Sequence, residues 1–275
     1  MLKRLTVPDW VQRHTFSYDD YRSVDPVKIS SIRLGLGKLN SSTPAVSIII
    51  PAYNEEKCLL NTLSSLSELQ PTLPTELIVV NNNSTDGTQE ILDKTGVRSI
   101  MVQQQGVTYA RQAGLEMTKG KYILSGDADS IYPPDWGNEF VAFLAKKTEV
   151  ACVYGYYSFI PTHRYGRLIL SFHELAAEMF FKYRQRQFPF INVVGFNCAF
   201  RREQALAAGG YDHAFFHANN NRGEDGYLAM KLAEKFGAIE QVPTTNRVWT
   251  SDRRLLEDGS LVRAFLNRVK RHAAV

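Results

Sequence analysis

Apolar and polar positions along this chain alternate between two rhythms. Val46-Ser47-Ile48-Ile49-Ile50 is a short, nearly continuous apolar run of the kind a strand buried on both faces needs. Behind it Leu59, Leu63, Leu66 and Leu69 return at the three- and four-residue spacing that places them on one side of a helix. Glu76 to Val80 repeats the strand pattern and meets the turn-rich stretch Asn81-Asn82-Asn83-Ser84-Thr85-Asp86-Gly87, after which a helix capped by Thr85 or Asp86 is predicted. Residues 98–102 read as a third strand, 107–117 as a helix and 121–125 as a fourth strand. Strands alternating with helices in this way predict an α/β fold, with a mostly parallel central sheet and helices on both faces.

The rhythm is less regular after residue 150. Residues 150–159 suit a strand, 165–188 a long helix rich in aromatic and basic residues, and 195–200 a short strand or bend. Residues 224–236 have a helical period, with Tyr227, Leu228, Leu232, Ala233 and Phe236 apolar. Residues 1–44 carry no clear period and end in Asn40-Ser41-Ser42-Thr43-Pro44, a linker composition. The expected organisation is an N-terminal extension (1–44), two halves (45–150 and 151–250) and a C-terminal segment (251–275), with no internal repeat.

A chain of 275 residues is long enough to bury the core such a fold requires. No apolar run approaches the roughly 18–20 residues of a membrane span, and Met1 to Asp9 lacks the apolar stretch of a secretory signal. Cys58, Cys152 and Cys198 form neither a disulfide framework nor a zinc spacing, so a reducing, cytoplasmic setting is expected. The net charge of +4 is unevenly placed, with Arg263, Arg268, Lys270 and Arg271 interleaved with Leu261, Val262, Phe265, Leu266 and Val269. That pattern suits a basic helix that either packs its apolar face on the protein or lies peripherally on an anionic membrane. No aromatic-and-basic module or zinc finger points to nucleic acid.

In a sheet of this type ligands bind beyond the carboxyl ends of the strands. Three polar clusters fall there: Tyr53-Asn54-Glu55, Asn81 to Asp86, and Asp127-Ala128-Asp129. If the last segment stays extended, Asp127 and Asp129 project to one side, where two carboxylates repel unless a cation intervenes. Mg2+ takes one or two carboxylates and completes its shell with water and phosphate oxygens, so the pair suggests a metal–phosphate site in a nucleotide pocket. Two solvated turn acids capping the next helix are the plainer alternative.

In their order along the chain, Val46 to Glu56, Glu76 to Thr88, Gly106 to Ser130 and Gly223-Glu224-Asp225-Gly226 resemble a family 2 glycosyltransferase of the GT-A fold over residues 45–235. The resemblance implies transfer of a sugar, with inversion, from a nucleotide diphosphate donor, UDP-sugars favoured. The acceptor hydroxyl would belong to a glycan or a lipid-linked saccharide, in cell-envelope polysaccharide or glycolipid synthesis. Pro51, Tyr53 and Glu55 would line the base and ribose pocket, with Ala128 beside the nucleotide. Asn81 and Asn82 stand where the family often has an acidic pair, and an amide can still pair with uracil. Arg111 would sit near the nucleotide, facing a phosphate or a base carbonyl; Gln112 follows it where Asn is common. By the same resemblance Asp129 meets Mg2+ or Mn2+ most directly, while Asp127 serves the ribose or a metal-bound water. Of the pair Glu224 and Asp225, the second is implied as general base, and its place at a helix start is expected to keep it ionised at neutral pH.

Other positions stay open between two roles. Asn197, in Gly195-Phe196-Asn197, bonds a sugar hydroxyl or forms a structural bend. Arg253 and Arg254 close over the diphosphate or are solvated loop charges, and His217 is a third metal ligand or a structural residue. Phe172, Leu175, Met179, Phe180 and Tyr183 meet a lipid-linked acceptor or membrane, or serve as core or oligomer contact. Two other functions compete. A nucleotidyltransferase shares the fold and metal, but usually has a glycine-rich basic loop after the first strand; here the only Gly-x-Gly, Gly35-Leu36-Gly37, precedes that strand. A non-catalytic protein of the same fold that binds nucleotide sugars or glycans is the other.

Overall fold

The computed structural model describes residues 5–18, 20–161, 164–185, 188–214, 223–243, 247–253, 260–263 and 266. In chain order the elements run α1 (Asp9–Gln12), α2 (Pro26–Leu36), β1 (Val46–Ala52), α3 (Leu59–Ser67), β2 (Thr75–Asn81), α4 (Thr88–Thr95), β3 (Ser99–Met101), α5 (Val107–Met117) and β4 (Tyr122–Ser125). They continue with β5 (Ser130–Ile131), α6 (Asn138–Lys146), β6 (Val150–Tyr154), β7 (Tyr157–Ile160), α7 (Arg167–Arg184), β8 (Cys198–Arg201), α8 (Arg202–Ala207), α9 (Glu224–Phe236), β9 (Ala238–Gln241) and β10 (Val248–Ser251).

Seven strands form one sheet in the order β3-β2-β1-β4-β8-β6-β9. Its pairs are parallel except where β8 runs against β4 and β6. The near-continuous apolar composition of β1 and β2 follows from cover on both faces. Ile48, Ile50, Leu77 and Val79 pack with Leu59, Leu63 and Leu66 of α3 on one side. The alternate residues Ile49, Ile78 and Val80 pack with Ala110 and Leu115 of α5 and join the cluster of Leu228 and Leu232 of α9 on the other. Residues ahead of the sheet enter the first core through Tyr18, Tyr21, Ile32 and Leu36.

The apolar run 150–159 is two strands, not one. β6 ends at Tyr154, and β7 joins a small sheet of order β5-β10-β7. The break falls at Gly155, where an added Cβ would lie 2.7 Å from the Phe140 ring and 2.8 Å from Asn197 Nδ2. Continuous hydrophobicity carries no mark of that close passage. The cap position of α4 is Gly87, one residue beyond the predicted Thr85 or Asp86, and Asp86 Oδ1 accepts from Thr88 N at 3.0 Å from just outside the helix.

Candidate active site

Loops from the carboxyl ends of β1, β2 and β4 meet on one rim, as the three polar clusters predict. Asn82 N donates to Ala52 O at 2.8 Å, Asn54 N to Ser84 Oγ at 3.0 Å and Glu55 N to Thr88 Oγ1 at 2.9 Å. Asn54 and Asn83 take left-handed backbone angles (φ 53° and 59°), a conformation asparagine tolerates better than most residues. Tyr53 stays 45% exposed at this rim, with Pro51 partly buried two residues before it in β1.

The amides of Asn81 and Asn82 are committed to building these loops. Asn81 donates to Gln89 Oε1 (2.8 Å) and accepts from Ser84 N (3.0 Å). Asn82 donates to Gln104 O (2.8 Å) and accepts from Gly106 N (2.7 Å). Both are buried, so the turn reading of Asn81 is the one this geometry favours.

The Asp-x-Asp segment does not remain extended. After β4 the chain passes closely over the core at Gly126, where a Cβ would fall 2.4 Å from Ile50 Cδ1 and 2.7 Å from Tyr132 Oη, and it turns at Ala128 and Asp129. Tyr132 accepts the N–H of Asp127 at 2.7 Å and donates to its carbonyl at 3.1 Å, while Thr62 holds the carbonyl of Ala128 at 2.8 Å. The Ala128 side chain is packed in the core. The turn sends the carboxylates to different partners: Asp127 Oδ1 accepts from Arg111 Nη2 at 2.7 Å, and Asp129 Oδ2 lies 3.5 Å from Arg253 Nη2. Separate countercharges, rather than one shared face, relieve their repulsion.

Arg111 is the hub of the site. Its residue is 2% exposed, and it donates to Ser125 Oγ at 2.6 Å as well as to Asp127. Its Nε stands 3.3 Å from Asp225 Oδ1 and 3.9 Å from Glu224 Oε1 at the start of α9. Gly195 closes over this cluster: a Cβ there would lie 2.1 Å from Arg111 Nη2 and 2.2 Å from Asp225 Oδ2. The guanidinium is thus a buried countercharge tying the Asp-x-Asp turn to the Glu224–Asp225 pair, and its forked donors face protein groups.

Burial holds the Asp225 carboxyl well above the usual aspartate range; Arg111 opposes this, and Glu224 and Asp127 add to it. Burial thus works against the ionisation that the helix start predicts for this group. Asp225 Oδ1 and Arg111 Nε are buried and face each other at 3.3 Å as an ion pair without hydrogen-bond geometry. Tyr211 stands in the same cluster, its phenol pushed well up by burial with Asp225 next to it, and bonds the Ser125 side chain. Sequence reading missed Tyr211, Ser125 and Tyr132. Ser125 adjoins the acidic motif, whereas Tyr211 follows Gly209-Gly210 with no signal of its own.

At the outer edge Arg253, just past β10, grips Glu55 with two donors at 2.7 and 3.2 Å. Arg254 and His217 lie outside the described residues. Asn197 is 1% exposed; its Oδ1 accepts from Trp136 Nε1 (3.0 Å) and its Nδ2 donates to Tyr156 O (2.8 Å), which favours the structural bend.

Among the described residues no group of three His, Cys, Asp or Glu side chains forms a closed metal site. An open one fits. Glu55 and Asp129 already share a guanidinium as their cation, and one or two carboxylates completed by phosphate oxygens suit Mg2+ or Mn2+.

Known proteins share this arrangement of elements. The family described as Glycosyl transferase family 2 matches residues 47–206. Glycosyltransferase AglE of Haloferax volcanii is 33% identical over 105 residues, 36% of this chain and 34% of AglE. The chondroitin synthase of Escherichia coli is 25% identical over 232 residues, 71% of this chain and 33% of that protein. The chain therefore spans about a third of the length of these two relatives. Among solved structures, the mannosyltransferase from Pyrobaculum calidifontis in complex with GDP-Man and Mn2+ has a TM-score of 0.54 at 19% identity, covering 94% of this chain and 70% of that one. It shares the fold. Because the family match covers more than half of the chain and takes in the β1 loop, Arg111 and the Asp-x-Asp turn, the chain belongs to glycosyl transferase family 2, and it has the GT-A fold.

Proposed function

We propose that this glycosyltransferase moves a sugar from a nucleotide diphosphate donor, UDP-sugars being the first candidates, to an acceptor hydroxyl with inversion. The acceptor is a glycan or lipid-linked saccharide of polysaccharide or glycolipid synthesis, met on the cytoplasmic side. The observation that carries this reading is the Arg111 cluster: one buried guanidinium links Asp127, of the metal motif, to Asp225, the candidate base.

Tyr53 offers a ring for the nucleoside, and Glu55 offers a carboxylate to the ribose hydroxyls. Asp129, with Asp127 behind it, would hold Mg2+ or Mn2+, which supplies neutralisation of the leaving diphosphate. Arg253, now paired with Glu55 and near Asp129, would offer its guanidinium to the phosphate oxygens of a bound donor. Asp225, once ionised, takes the proton of the acceptor hydroxyl as that oxygen bonds to the anomeric carbon and the bond to the diphosphate breaks. Its raised pKa makes it a stronger base than a solvated aspartate. A single displacement of this kind inverts the anomeric centre.

The test is release of nucleoside diphosphate from a panel of nucleotide sugars, with Mn2+ or with EDTA, with and without glycan acceptors. Turnover of one donor that EDTA abolishes is expected. No release from any donor under any condition would favour a sugar-binding protein instead.

A further inference from the structure

Helix α7 turns Arg167 and both of its acids towards the protein and leaves a row of apolar residues outside. Arg167 and Glu174 are buried and paired at 2.5 Å, with Glu174 accepting the N–H of Phe159 at 2.7 Å, and Glu178 faces Arg247. Those contacts fasten the helix to β7 and leave the opposite side uncovered. Leu168, Phe172, Met179 and Tyr183 are 56%, 62%, 67% and 73% exposed. At about 100° per residue they fall within one narrow stripe, flanked by exposed Ile169. A stripe of large apolar side chains without a polar interruption is uncommon on a free surface.

The C-terminal segment is fastened to the inner side of this helix. Leu261 packs with Phe159 and Leu170, while Val262 and Leu266 are exposed. Exposed basic residues lie on the same helix and on the segments at its ends. Arg164, Lys182 and Arg263 are exposed, whereas both acids of α7, Glu174 and Glu178, are turned to arginines. In sequence Arg268, Lys270 and Arg271 follow. Apolar side chains accompanied by exposed base match a surface that is apolar within and anionic at its edge.

We propose that this face is a peripheral docking surface for an anionic lipid bilayer, with Phe172 and Met179 entering the headgroup boundary and Lys182 and Arg263 meeting acidic headgroups. The inference is independent of which donor the enzyme uses. It would bring the enzyme to lipid-linked acceptors; no helix of the described residues is long and apolar enough to cross a membrane.

Flotation of the full chain with vesicles tests it. The protein should rise with phosphatidylcholine–phosphatidylglycerol vesicles at a ratio of about 3:1 and stay down with phosphatidylcholine alone. Phe172→Glu with Met179→Glu, and separately Lys182→Glu with Arg263→Glu, should each cut the bound fraction at least about tenfold. All four residues are exposed and outside the site, so thermal midpoint and donor hydrolysis should be unchanged. Failure to float with the phosphatidylglycerol vesicles, or flotation that survives both double substitutions, overturns the proposal. So does a stable dimer in sedimentation that Phe172→Glu dissociates, which would assign the face to a second copy of the chain.

Discussion

Asp225→Asn should lower turnover by about 10²–10⁴-fold while metal-dependent donor binding persists. The amide keeps the shape of the carboxyl but cannot take a proton from the acceptor. The substitution should also leave the fold at least as stable, because the native carboxyl is held in a site that disfavours its charge. The sign follows from the shift. A carboxyl whose folded pKa lies above its unfolded value binds more protons in the folded state between the two. Stability is therefore fully present below the unfolded value and falls as pH rises towards the folded one. Denaturation of the native protein and the variant across that range should show the native slope and a flatter variant.

Activity runs the other way: kcat/KM should rise with pH through a limb lying above the usual carboxylate range, as the base loses its proton. Unchanged turnover in Asp225→Asn would remove the residue from the chemistry. A limb at the ordinary aspartate pKa would contradict the burial that raises it.

Arg111→Met should cost about 3–5 kcal/mol of stability and abolish transfer, the larger structural effect of the two. The methionine fills much of the same volume but leaves Asp127 buried without its ion pair, and removes the cation that Glu224 and Asp225 face. Arg111→Lys keeps a charge but not the fork that reaches Ser125 and Asp127 with one nitrogen pair and Asp225 with the third nitrogen. It should recover part of the stability and little of the turnover. Urea midpoints for both variants, read beside their donor KM, test this. Native stability in Arg111→Met would show that the cluster does not depend on its guanidinium.

What the sequence disclosed and what it hid divide along a physical line. The spans 107–117 and 224–236 coincide with α5 and α9, because amphipathic period alone decides a helix packed on a sheet. The convergence of the Tyr53, Asn81 and Asp127 loops was legible too, since parallel strands put their carboxyl ends on one edge. Roles that depend on burial were not. Arg111 reads as a helix arginine suited to a phosphate, and only folding around Gly195 shows that it is enclosed by acids. The helix start beside Asp225 suggested ionisation because spacing reports the dipole but not desolvation. The Asp-x-Asp pair stays open between an extended segment and a turn because Tyr132, which bonds the Asp127 backbone, lies beyond the motif. The family match weighs against the nucleotidyltransferase alternative.

The central claim is that Asp129 and its neighbours form a metal-dependent nucleotide-sugar site. Calorimetric titration of a panel of nucleotide diphosphate sugars, with and without Mn2+, into the native protein and Asp129→Ala tests it most directly. The account predicts that a donor binds the native protein only with the metal, and that Asp129→Ala loses this binding while its thermal midpoint is kept. Binding that needs no metal, binding undiminished in Asp129→Ala, or no binding of any donor would contradict it.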